Sequence, residues 1–325
     1  MNKVISASSW GGFGANLWWS TSGNTSGSGV TSASQQSFSS QPVLLCDASL
    51  KQSGITNIGN TCYLNSTLQL LRVLSPKCHS QAVRDILAKL DAKTLTDRDI
   101  RNFYNDHVKP RKLDLGYSLH LQQDASEILV RLLENVSLMS IQSMVVPQEG
   151  AFVGTASTTI ESHSVICVPI VPGLRDFSSL LDHEYGASQV VEYMTGDNKY
   201  KDTSGQLVPA EKSHSLRLPL GFESGDVVLF SLKRFHSDGA RQSKMDTEIV
   251  TPAIFDMQVS GVPCRFELVA GIIHSGSLAG GHYWSFTRDQ AGCTVFNDST
   301  VSHCPLDQVP GINHVYVLAY KVTTL

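Results

Sequence analysis

The sequence predicts an α+β fold in which a helical half precedes a sheet half. Three observations carry this reading. Apolar residues recur at helical spacing from Gly54 to about Val146, and short Val-, Ile- and Thr-rich runs separated by turn clusters follow Pro147. The composition, 41 % apolar and 17 % charged over 325 residues, is that of a chain long enough to bury a sizeable core. Helices first and strands afterwards favour two parts packed face to face.

The elements follow in order. Residues 4–46 carry no charged side chain and are dominated by Ser, Gly, Thr and Asn, as in "STSGNTSGSGVTSASQQSFSS". Such a stretch buries too little surface to offset its ordering entropy, so residues 1–46 are expected to be a flexible tail and 47–325 the folded domain. Trp10, Trp18 and Trp19 are the exceptions within it, either a short docking element or incidental aromatics. A Ser-rich, charge-poor leader also resembles the secretion signals of bacterial effectors. Leu64, Leu68 and Leu71 then mark a first helix, "AVRDILAKL" a second, and "DASEILVRLLENV" a third with Ile128, Leu129, Leu132, Leu133 and Val136 on one face. The strands are "SVICVPIV", "DVVLFSL", "FELVAGII", "HYWSFT" and "HVYVLAY", expected as an antiparallel sheet.

Several function classes are excluded. A formal net charge of −4 without a Lys/Arg run argues against nucleic acid. No apolar run approaches the ~18 residues of a membrane helix, and the stretch after Lys3 is too broken by Ser, Gly and Asn for a signal peptide. Seven scattered cysteines without a CxxC pair imply neither a disulfide framework nor a zinc ribbon. A soluble, cytoplasmic protein in a reducing compartment is expected, the host cytosol if the source is a virus or a secreting bacterium.

The chemistry concentrates in "GITNIGNTCYLNSTLQLL", residues 54–71. Asn60 and Thr61 are suited to cap a helix that begins at Cys62, and the positive end of that helix favours thiolate over thiol. Gly54 and Gly59 permit a tight approach loop, and Asn57 is in reach to donate its amide to an oxyanion beside the Cys62 N–H. Taken alone, a cysteine at a helix start is more often structural. A nucleophilic thiol needs an imidazole and a third group to orient it. Two histidines compete in "AGIIHSGSLAGGHYWSFTRD": His274 ends a strand, while His282 follows a glycine pair and is the better base. Asn297 and Asp298 in "VFNDSTVS" end another strand, where they serve either to orient His282 or as a plain turn signal.

"GITNIGNTCYLN" with "LQLL" resembles the cysteine box of the ubiquitin-specific proteases, and "HSGSLAGGHYWSF" with "FNDSTVS" resembles their histidine box. "QQDASEIL" (122–129) and "VVLFSLKRF" (227–235) are similar to two further blocks of the family, all four in the family's order. The resemblance implies a papain-like cysteine peptidase shaped as a hand, with a thumb at about 54–146, fingers at about 150–214 and a palm at about 215–325. It implies Cys62 as nucleophile, His282 as general base, Asn297 as orienting residue with Asp298 sharing or taking over that role, and Asn57 at the oxyanion. Asp124 and Glu127 are implied to meet the basic tail of ubiquitin, and Gly281 and Tyr283 to shape a channel for its two terminal glycines. Alternatively, Asp124 is a helix cap and Glu127 a solvated surface residue.

The implied reaction is hydrolysis after the C-terminal glycine of ubiquitin by a monomer that needs no cofactor, with ubiquitin and ubiquitinated proteins as partners. An inactive ubiquitin-binding scaffold and a peptidase for a related modifier are the alternatives. One departure concerns the fingers, which in many members carry two CxxC pairs on zinc. Here "TGDNKYKDTSGQ" has Asp202 and Gly205 where a pair falls, and "TTIESHSVICV" offers only Cys167. No zinc and shortened fingers are expected.

Overall fold

The computed structural model describes residues 53–109, 119–186, 189, 191–237, 242–277 and 280–325. The expected tail and its tryptophans lie outside the described residues. The helices are α1 (Cys62–Leu71), α2 (Gln81–Asp91), α3 (Asp97–Phe103), α4 (Ala125–Leu132) and α5 (Phe177–Tyr185). The strands are β1 (Met139–Pro147), β2 (Ser157–His163), β3 (Ile166–Pro169), β4 (Glu192–Met194), β5 (Tyr200–Lys201), β6 (Leu207–Val208), β7 (Ala210–Arg217) and β8 (Val227–Lys233). They continue with β9 (Phe235–Ser237), β10 (Gln242–Lys244), β11 (Ile254–Val259), β12 (Val262–Gly276), β13 (Gly281–Asp289), β14 (Gly292–Asn297), β15 (Thr300–Cys304) and β16 (Val315–Thr324). Among the described residues no helix is long and apolar enough to cross a membrane.

Helix starts obey local chemistry. The Ser80 hydroxyl accepts from the Val83 N–H to open α2, and Thr96 with Asp99 forms a reciprocal capping box on α3. The Asp124 carboxylate accepts from the Ser126 and Glu127 N–H groups to open α4. Two expectations need correction. The third helix stops at Leu132, not Val136, because Asn135 turns left-handed at φ 68° and swings Val136 back onto the core. Helix α5 was not foreseen at all, although Asp176 caps it and Phe177, Leu180, Leu181 and Tyr185 form its buried face.

The main sheet has eight strands in the order β15-β14-β13-β12-β16-β8-β3, with β11 added on β12. It is antiparallel except that β3 runs parallel to β8, a departure from the expected wholly antiparallel arrangement. Its central strands are covered on both faces, which is why they read as continuous apolar runs. Val317 and Ala319 of β16 pack with α1 and α4, whereas Leu318, Tyr320 and Val322 pack on the α5 side with Phe177, Phe230 and Phe266. Sheet order alone therefore brings β13 and β14 beside α1. A second sheet has four strands in the order β2-β1-β7-β4.

Arg234, fully buried at the end of β8, ties three segments together without a carboxylate. Its guanidinium donates to the Val315, Met245, Thr247 and Asn313 carbonyls.

Candidate active site

All ten residues of α1 are buried, so its polar side chains need internal partners. Ser66 and Thr67 donate to the carbonyls of Cys62 and Tyr63, and Gln69 donates to the Ser53 carbonyl. Asn65 donates 2.7 Å to Asp298 Oδ1 and 3.3 Å to the Ile55 carbonyl, which clamps the loop before the helix onto the turn after β14. That loop and turn also meet directly, since the Ile55 N–H donates to the Asp298 carbonyl at 2.8 Å. A Cβ on Gly54 would stand 2.5 Å from backbone atoms of Asp298 and Ser299, so only glycine permits this contact. Asp298 itself adopts φ 51°, a left-handed conformation that Asp tolerates better than most residues.

The start of α1 differs from expectation. Thr61 is the N-cap residue but makes no side-chain cap; its hydroxyl accepts from the upstream Ile58 N–H instead. Asn57 takes over part of the capping by accepting the Thr61 N–H on Oδ1 at 3.1 Å. Its Nδ2 donates 3.0 Å to Asp298 Oδ2. One of the two Nδ2 hydrogens is thereby committed and the other is left to donate.

Cys62 is 2 % exposed, and its sulfur is hydrogen-bonded by the backbone of Tyr283, the residue after His282. The expectation that the helix end lowers the thiol pKa is not met. Burial pushes it up, and the nearby Asp298 charge adds in the same direction against the backbone hydrogen bonds from Tyr283 and Tyr63. The helix end is present, but desolvation of a buried sulfur outweighs it.

The His282 ring approaches Asn297 Oδ1 with Nε2 at 2.6 Å and stacks on Trp284, ring centroids 6.1 Å apart. Trp284 is held in turn by donating to the Pro310 carbonyl. Because an amide oxygen only accepts, the neutral ring carries its hydrogen on Nε2, and Nδ1 is the basic nitrogen. Asp298 Oδ2 lies 3.9 Å from the same Nε2, too far for a hydrogen bond, and its oxygens serve Asn57 and Asn65. His274, the competing histidine, sits in β12, 2 % exposed, against Phe235 and Tyr283. Burial and nearby Lys244 bring its pKa down to about 4.

The strand that carries His282 is registered by a residue that sequence reasoning left unassigned. Gln122 accepts the Gly281 N–H on Oε1 at 2.7 Å and donates back to the Gly281 carbonyl through Nε2. A Cβ on Gly281 would lie 2.3 Å from His274 Nε2 and 2.6 Å from the Ser275 carbonyl, so glycine is required there as well. Gln122 was visible as the first letter of "QQDASEIL", and Asn65 within "CYLN".

Asp124 has both carboxylate oxygens engaged: Oδ1 caps α4 and Oδ2 accepts from the Tyr316 hydroxyl at 2.6 Å. Burial raises its pKa against these hydrogen bonds. Glu127 lies in the first turn of α4, half-buried. Tyr283 is buried, its ring between His274 and Tyr316.

Among the described residues no group of three or more His, Cys, Asp or Glu is placed to hold a metal ion. Asp202 instead closes the β5–β6 turn by accepting from the Ser204 hydroxyl and the Ser204 and Gln206 N–H groups, while Gly205 donates to its carbonyl. Six cysteines among the described residues are free thiols.

A family model described as "Ubiquitin carboxyl-terminal hydrolase" matches residues 53–320. The chain is 24 % identical over 308 residues to "Probable ubiquitin carboxyl-terminal hydrolase 16" of Schizosaccharomyces pombe, covering 82 % of this chain and 66 % of that protein. It is 26 % identical over 303 residues to mouse "Ubiquitin carboxyl-terminal hydrolase 17-like protein B", covering 82 % and 63 %. A shorter match of 35 % over 104 residues, 29 % of this chain and 11 % of the relative, joins it to rat "Ubiquitin carboxyl-terminal hydrolase 15". The relatives matched along most of this chain are longer: it spans 53–66 % of their length. In fold, the chain is similar to the SAGA DUB module Ubp8/Sgf11/Sus1/Sgf73 bound to monoubiquitin, with TM-score 0.63, 23 % identity and coverage of 83 % of this chain and 69 % of that one. The module bound to ubiquitin aldehyde gives TM-score 0.64, 21 % identity and coverage of 87 % and 72 %.

Proposed function

The chain belongs to the ubiquitin carboxyl-terminal hydrolase family, and from that premise we propose that it is a deubiquitinase that hydrolyses the isopeptide or peptide bond after the C-terminal glycine of ubiquitin. Cys62 attacks the glycine carbonyl once His282 Nδ1 has taken the thiol proton. The oxyanion is held by the Cys62 N–H and the second hydrogen of Asn57 Nδ2. The imidazolium then protonates the leaving lysine amine, and water attacks the acyl-enzyme by the same route in reverse. Asn297 keeps the ring in the required tautomer. Asp298 acts on this reading mainly as the anchor of Asn57 and Asn65, with its charge near the imidazolium a lesser contribution.

The observation that supports this most is the 2.6 Å contact of His282 Nε2 with Asn297 Oδ1 beside a thiol that the Tyr283 backbone contacts. The tail of ubiquitin enters beside Gly281 and Tyr283, and the sheet β2-β1-β7-β4 serves as fingers around its globular part. Asp124 acts through its cap of α4, and Glu127 meets the basic tail residues.

The test is turnover of a ubiquitin C-terminal amide substrate beside related ubiquitin-like modifiers. Hydrolysis of ubiquitin by wild type and none by Cys62→Ala is expected; preference for another modifier would redirect the proposal, and ubiquitin binding without turnover would favour a scaffold.

A further inference from the structure

The hairpin that carries Asn297 and Asp298 has a pair of thiols at its base. Strands β14 and β15 are joined by a two-residue turn, Asp298–Ser299, with Asn297 opposite Thr300. Counting back along the ladder, Phe296 faces Val301, Val295 faces Ser302, Thr294 faces His303, and Cys293 faces Cys304 directly. Directly opposed residues of an antiparallel ladder project to the same face, with Cα atoms about 4.5–5.5 Å apart. That spacing lies inside the window of roughly 4.4–6.8 Å that a disulfide bridges. No other described strand cysteine has this arrangement: Cys167 faces Ser231, and Cys264 faces Met257 and Thr324. Both members are free thiols.

We propose that Cys293 and Cys304 are a two-thiol redox site that a hydroperoxide closes into a cross-strand disulfide, stapling the hairpin that presents Asn297. The pair is asymmetric in a way that sets the order of events. Cys304 is partly exposed on the edge strand, while Cys293 is 2 % exposed beneath it. Burial and the nearness of Cys304 push the Cys293 thiol up to about 11, so it waits as a protonated thiol. The Cys304 sulfur attacks the peroxide oxygen, the O–O bond breaks, and the alcohol or water leaves with a proton, giving a sulfenic acid. The Cys293 sulfur then attacks that sulfur, the S–OH bond breaks, and the hydroxyl leaves as water with the Cys293 proton. Two thiols lose two electrons in total, and one hydroperoxide accepts them. In a reducing compartment the pair rests as thiols, and the bond forms only under oxidant.

The experiment treats the full chain carrying Cys62→Ala, which removes oxidation of the proposed nucleophile, with hydrogen peroxide and then blocks free thiols. No Lys or Arg lies between Arg288 and Lys321, so trypsin leaves both cysteines in one peptide. The expected product is that peptide lighter by two hydrogens and unlabelled, reversed by dithiothreitol. The unfolding midpoint should rise by roughly 5 °C on oxidation, as closure of a short loop in a domain of this size implies. Adding Cys304→Ser, at a partly exposed edge position, should remove both effects while the reduced protein unfolds as before. Two thiols that stay labelled while other cysteines oxidise, a Cys304 that proceeds to sulfinic acid, or a bond to a different cysteine would each overturn the proposal. None of these outcomes depends on the reaction assigned to Cys62.

Discussion

Substituting Asn for Asp298 separates two effects that point in opposite directions. The position has φ 51°, which Asn accepts as readily as Asp, so the turn is kept. The carboxylate accepts from Asn57 at 3.0 Å and from Asn65 at 2.7 Å, whereas an Asn side chain offers one acceptor and must turn a donor toward the other amide. One hydrogen bond to a charged group is lost, about 1.5–3 kcal/mol, or roughly 10- to 150-fold in rate if that energy serves to place Asn57 in the transition state. The charge at Asp298 also holds the Cys62 thiol pKa up, so its removal makes that thiol more acidic. The expected result is a fall of roughly 10- to 150-fold in kcat/KM for a ubiquitin amide, together with alkylation of Cys62 that begins at lower pH. The assay follows both by steady-state hydrolysis and by peptide-level iodoacetamide rates across pH. Hydrolysis at wild-type level, or an alkylation profile displaced to higher pH, would refute the assignment of Asp298 as anchor.

Three further outcomes are expected. Gln122→Ala removes both hydrogen bonds to Gly281 and should lower kcat/KM about tenfold, chiefly through KM, by loosening the strand before His282; unchanged steady-state kinetics would show that β13 is registered without it. Arg234→Leu strands four carbonyls and should destabilise by about 3–5 kcal/mol in urea unfolding; a loss below 1 kcal/mol would mean that water takes the guanidinium's place. His274 is neutral in the fold down to about pH 4 but protonates near 6.5 when unfolded, so the unfolded state binds the extra proton between those values. Stability should therefore fall as pH drops from about 6.5 to about 4, and His274→Phe, which fills the same space against Phe235 and Tyr283, should flatten part of that fall in thermal unfolding. A slope unaltered by the substitution would place the titration elsewhere.

Much of the fold was legible because the central strands announce themselves: "DVVLFSL" and "HVYVLAY" are apolar on both faces and belong to β8 and β16, buried on both sides. The position of Cys62 at a helix start was legible from the switch to period 3.6 after it. What failed did so for local reasons. Helix α5 is one short run between strands, and its apolar residues did not stand out from the surrounding β-like texture. The end of α4 hinges on one left-handed residue, Asn135, that periodicity does not register. The parallel pairing of β3 is a matter of long-range topology. In the site, the resemblance to the ubiquitin-specific proteases singled out Cys62, His282 and Asn297, but the clamp of Asn57 and Asn65 on Asp298 requires side-chain positions across 241 and 233 residues of chain. Desolvation of the thiol was invisible for the same reason, since the sequence displays the helix end and conceals the burial.

In the proposed mechanism Cys62 attacks the C-terminal carbonyl of ubiquitin. Its most direct test incubates the chain with ubiquitin whose C-terminus bears an electrophile and locates the adduct by mass spectrometry. A single ubiquitin bonded to Cys62, lost in Cys62→Ala and strongly slowed in His282→Ala, is the predicted result. Absence of an adduct from folded wild type, or its formation on a different cysteine, would contradict the account.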